Sequence, residues 1–115
     1  MKINISQLDD NQFADLISFI RQQIGEYAKP ITRETLIEDD LGVTGDEAED
    51  LIVNFAEHYN VNVDEFIFIN YFYEEPSGFS FPDHIVKPFT IRHLEKAIIA
   101  GQLNEEVINS IDYPT

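Results

Sequence analysis

The sequence predicts a mainly α protein: a helical bundle of about four helices, with an aromatic-rich insertion at roughly residues 66–88 before the last helices. Three observations predict it. In three separate stretches apolar residues recur at three- and four-residue steps, the spacing that gathers them on one helix face. Each stretch opens on Asp or Thr and closes on Pro, Asn or Gly, the residues that start and stop helices. The chain has 115 residues, of which 43% are hydrophobic and 25% charged, enough for one modest core and one domain over 1–115.

The first helix is predicted from Asp10 to Lys29. Phe13, Leu16, Ile17, Ile20, Ile24 and Tyr27 form its apolar face. Asp9 or Asp10 caps its start, and Pro30 stops it because the residue before a proline disfavours helical geometry. Residues 31–43 read as an irregular connection whose Ile31, Leu36, Ile37, Leu41 and Val43 tuck onto the core. The second helix is predicted to open at Thr44. Thr44 and Glu47 make the T-x-x-E pattern of a capping box, a contribution of about 1 kcal/mol. At 100° per residue, Ala48, Leu51, Ile52, Phe55 and Tyr59 share one side, with Asp46, Asp50 and Glu57 nearly opposite. Asn60 is the expected stop.

The next stretch, VNVDEFIFINYFYEEPSGFSF, leaves two options. Asp64 can cap a short helix through Phe72, or Phe66 to Ile69 can form a strand, and a run this short does not decide. Residues 74–88, with Pro76, Gly78, Pro82 and Pro88, read as a loop with room for a small hairpin. The many rings of this insertion either extend the core or form an exposed aromatic patch. Thr90 then caps a helix with Ile91, Leu94, Ala97 and Ile98 inward, stopped by Gly101. Asn104 to Ile111 makes a last short helix with Val107, Ile108 and Ile111 inward.

Composition narrows function. There is no cysteine, which removes disulfides, thiolate metal sites and cysteine nucleophiles. With 22 acidic and 7 basic side chains the formal net charge is -15. Nucleic acid and anionic membrane surfaces both require basic faces, so neither is an expected ligand. Between Glu34 and Glu75 there are thirteen acids and no Lys or Arg, a concentration that solubility alone does not require and that suits a basic protein surface. The three histidines make no i, i+4 pair, and no P-loop, dinucleotide fingerprint, nucleophile elbow or EF-hand loop is present. No metal, and no catalysis, is expected. No apolar run spans a membrane, and MKINISQLDD lacks an export layout, so the cytoplasm is the expected location.

The stretch LIEDDLGVTGDEAEDLIVNFAEHYNVNV, Leu36 to Val63, resembles the prosthetic-group segment of the acyl carrier protein family. Asp40-Leu41-Gly42-Val43 matches that family's Asp-Leu-Gly-x. Thr44-Gly45-Asp46 stands where the family has Asp-Ser-Leu, so Gly45 occupies the position of the phosphopantetheine-bearing serine. FTIRHLEKAI, Phe89 to Ile98, is similar to the family's last helix. Tyr71-Phe72 with Glu74-Glu75 is similar to a pattern in an uncharacterised bacterial acyl-carrier-like branch. The resemblance implies an acyl-carrier-like bundle that lacks 4'-phosphopantetheine, because Gly45 offers no hydroxyl, with Thr44 as the weak alternative attachment point. It also implies partner contact through acids of helix two at Glu47, Asp50 and Glu57.

The expected function is therefore a non-enzymatic binding module, monomeric, that docks a basic partner through Asp46, Glu47, Asp50, Val53 and Glu57. The resemblance makes an enzyme of lipid or polyketide metabolism the partner class. Two alternatives stand beside it: a functional carrier modified at another site, and an acidic inhibitor or immunity protein.

Overall fold

The computed structural model describes residues 7–72 and 87–110. Over these the chain forms four α-helices, α1 (Asp10–Ile24), α2 (Gly45–Tyr59), α3 (Ile91–Ala100) and α4 (Glu105–Asn109). No strand occurs among the described residues, which hold two isolated bridges, Leu36 with Thr90 and Asn62 with Gln102. The mainly α bundle read from the sequence is the observed architecture. The residues where a hairpin has room, 74–86, and Ile111 lie outside the described residues.

α1 begins as its sequence predicts. The Asp9 carboxylate accepts from the Gln12 N–H (2.8 Å), and the Gln12 side chain accepts from the Asp9 N–H (3.1 Å). Its end differs from the expectation of Lys29 before Pro30. Gly25 adopts φ 71°, its N–H bonding Arg21 O, and the helix stops at Ile24. Glycine enters this left-handed geometry without steric cost, so it ends the helix before Pro30 is reached. The Arg21 guanidinium then holds the turn by donating to Glu26 O (3.0 Å) and Lys29 O (2.9 Å). Tyr27, assigned to the apolar face, is consequently 67% exposed.

The connection from 31 to 43 buries Ile37, Leu41 and Val43 as expected. Its backbone groups are satisfied by the start of α3. Ile37 N–H donates to Phe89 O (3.0 Å), Ile91 N–H to Thr35 O (3.1 Å) and Arg92 N–H to Arg33 O (2.9 Å). This pairing meets the requirement that buried backbone polar groups find partners.

α2 buries Ala48, Leu51, Ile52 and Phe55 and ends at Asn60, which takes φ 56°. Its start departs from the predicted capping box. Thr44 makes no side-chain cap bond, and its hydroxyl donates to the Glu38 carboxylate instead. The turn through Gly42 brings the carboxylate into reach, and the charge-assisted bond to it orients the Thr44 side chain toward Glu38 instead of the helix N–H groups.

The stretch after α2 is neither the helix nor the strand. It is a series of turns with a short 3-10 segment at Phe68–Asn70. Of its described rings, Tyr71 and Phe72 are buried, and both pack on Phe89 with centroids 5.4 Å away. These rings extend the core. α3 packs on α4 and α1 on α2. The ends of α2 and α3 are tied by Asn62 N–H to Gly101 O (3.0 Å) and Leu103 N–H to Asn62 O (2.8 Å). The Asn104 side chain caps α4 by accepting from the Val107 N–H (2.9 Å).

Candidate functional site: the outer face of α2

The candidate partner-binding residues share one surface. On a helix of 100° per residue, Asp46, Asp50, Val53 and Glu57 fall within a narrow arc, with Glu47 and Glu49 on its flanks. All six are exposed, Val53 at 47%. The inner face of the same helix is fully committed to the core, which fixes the direction of the outer one.

Charge on this face is not explained by helix stability. Asp46 and Glu47 lie in the first turn, where the helix dipole favours an acid by roughly 0.3–1 kcal/mol. Asp50 and Glu57 lie beyond that turn and gain nothing there. Asp50 also repels Asp46 at i, i+4, a cost of a few tenths of a kcal/mol. Glu57 stands near the C-terminal end, where the dipole opposes an acid. Glu47, Asp50 and Glu57 have no ion-pair partner among the described residues, whose ion pairs are Arg33–Glu95, Lys87–Glu105 and Arg92–Glu34. The acids of α2 thus form an extended field of one sign, reaching about 8 Å into physiological salt.

Two polar residues inside the fold escaped the sequence reading. Glu95 is fully buried on α3, 2.9 Å from the Arg33 guanidinium. The helical spacing holds its signal, because Glu95 falls between Ile91 and Ile98 on the apolar face beside Leu94. His93 is buried against Phe89, stacked at 5.1 Å. Its Nδ1 accepts from the Thr90 N–H (2.8 Å), supplying the reciprocal half of the α3 cap. Burial, with the neighbouring Arg92 charge, lowers its pKa to about 4. Elsewhere, burial and the bond to Asp15 push the Tyr59 hydroxyl above its ordinary range, and burial and Glu105 do the same for Tyr71. The bond from Arg92 holds the exposed Glu34 carboxyl below its ordinary range. No group of three or more His, Asp or Glu that could hold a metal occurs among the described residues. Nor is any helix there long and apolar enough to cross a membrane.

The segment that resembles an acyl carrier site has a different physical basis. Gly42 and Gly45 both take positive φ, 71° and 58°. The Asp40 carboxylate accepts from the Leu36 N–H (2.8 Å), which builds the turn. Asp-Leu-Gly here is turn chemistry. A serine in the left-handed backbone of Gly45 would be strained by about 1–2 kcal/mol. The Thr44 hydroxyl is engaged with Glu38.

Comparison with known proteins corrects the resemblance. No curated protein and no solved structure matches the chain. Residues 9–104 match a family described as "Protein of unknown function (DUF1493)", and not an acyl carrier protein family. That match covers α1 to α3 and most of the chain, so the acyl-carrier assignment is withdrawn and the protein belongs to the DUF1493 family.

Proposed function

We propose that this protein is a non-enzymatic binding module that docks a basic protein partner through the outer face of α2, with Asp46, Glu47, Asp50, Val53 and Glu57 in contact. The observation that carries the reading is the exposure of these five residues on one helix face, of which Asp50 and Glu57 gain little from the fold itself. Val53 supplies an apolar spot among carboxylates, which suits a partner segment mixing Lys or Arg with an aliphatic side chain. Long-range attraction of this kind speeds association and fades with salt.

The test is capture by immobilised full-length protein, with bound proteins identified by mass. The Asp50→Lys/Glu57→Lys variant is expected to lose the partner, and salt to weaken capture by the parent. A Glu65→Lys/Glu106→Lys variant changes net charge equally at exposed positions off α2. It is expected to retain the partner. Equal loss in both variants would reduce the effect to net charge and reject the docking face.

A further inference from the structure

The environment of Glu95 says more than that a charge is buried. Its carboxylate accepts from the Leu8 backbone N–H (2.9 Å) and from Arg33 Nε, 3.0 Å to each oxygen. The same guanidinium donates through Nη2 to the Leu8 carbonyl (3.3 Å). It also lies 4.0 Å over the Phe13 ring of α1. One ion pair therefore grips both backbone groups of the residue that leads into α1, and covers that helix's first turn. Asp10 and Glu34 add electrostatic attraction for Arg33.

Within the described residues, the rest of α1 is attached to the later chain through side chains and not through backbone bonds. Among the described residues, its other hydrogen bond to the chain beyond residue 30 is Tyr59 Oη to the Asp15 carboxylate (2.8 Å). Its fully buried apolar anchors are Leu16 and Ile20, with Phe13, Ile17, Phe19 and Ile24 packed against the core at its edge and Phe19 stacked on His58 of α2. By contrast, α2 and α3 are joined at their ends by backbone bonds, and α3 packs on α4. A buried ion pair roughly balances attraction against lost hydration, so opening it returns solvation to Glu95. A helix held by such a pair is suited to local opening, whereas one sewn in by backbone bonds is not.

We propose that the Arg33–Glu95 pair is a latch, and that residues 8–24 open and close as one unit while α2, α3 and α4 stay folded. Opening uncovers the buried side of α1, Leu16 and Ile20, without loss of the remaining core. The inference is independent of the docking face on α2.

Native-state hydrogen exchange of the full chain in low denaturant tests it. In the parent protein, amides of residues 14–24 are expected to exchange through an opening that leaves Leu51 to Phe55 and Leu94 to Ala97 protected, with roughly tenfold or more between the groups. Glu95→Gln keeps an acceptor for Leu8 and removes the charge. It is expected to lower protection of α1 by roughly a hundredfold and that of α2 and α3 by a similar factor, because every opening starts from the same destabilised native state, so the gap between the groups persists. One shared opening for all three helices in the parent would overturn the proposal, as would a gap between the groups that closes, or no fall in α1 protection, in Glu95→Gln. Should that variant fail to fold, the parent measurement alone decides.

Discussion

The acids of α2 and the acid of α3 are the same chemistry in opposite settings. On α2 five carboxylates stand in water, and three of them (Glu47, Asp50 and Glu57) meet no cation among the described residues. On α3 a single carboxylate, Glu95, is fully buried and takes an Arg33 ion pair and a backbone N–H. The difference teaches that net charge says little about where charge acts. Exposed acids shape the field seen by a partner and hardly touch stability. A buried one, once paired, orders the chain around it and becomes costly to disturb.

The largest expected effect comes from stranding the buried acid. Arg33→Ala leaves Glu95 without its cation and is expected to cost on the order of 3 kcal/mol in urea unfolding. A loss below about 1 kcal/mol would mean that water reaches Glu95, and the contrast with α2 would collapse.

The second effect uses the neighbouring buried base. His93 accepts its proton near pH 4 when folded and near 6.5 when unfolded. Between these values the unfolded chain binds more protons, so stability falls as pH drops from 6.5 toward 4 and is fully present above 6.5. The loss is about 3 kcal/mol at most. Melting temperatures across this window should slope in the parent and flatten in His93→Gln. Parallel curves would show that His93 is hydrated.

Next comes the start of α2. Gly45→Ser is expected to lower stability by about 1–2 kcal/mol, because φ 58° is strained for serine. An unchanged denaturation midpoint would mean that the helix can begin differently.

The smallest effect belongs to the exposed stripe. Asp50→Asn and Glu57→Gln should each shift stability by no more than about 0.5 kcal/mol, or even raise it, while weakening partner capture. A loss comparable to that of Arg33→Ala would show these acids to be structural.

Much of this was legible in the chain. The apolar spacing of α1, α2 and α3, an aspartate cap at Asp9 or Asp10, and the stops at Asn60 and Gly101 are local features, readable because their causes lie within a few residues. The α2 face was legible for the same reason. Glu95 was present in the pattern as an acid on an apolar face, but its partner stands 62 residues away. The resemblance to a carrier site misled because turn residues alone can imitate a motif.

The amino-acid sequence alone located the cores of α1, α2 and α3, the acidic side of α2 and the lack of thiol chemistry, though not the form of residues 64–72. Those properties follow from local spacing and composition. The folded chain was needed to show that Gly25 and not Pro30 ends α1, that the Thr44 hydroxyl serves Glu38 and not the helix, and that Arg33 and Glu95 meet around Leu8. Each is a competition among partners that local sequence nominates equally well, and geometry across the fold chooses between them.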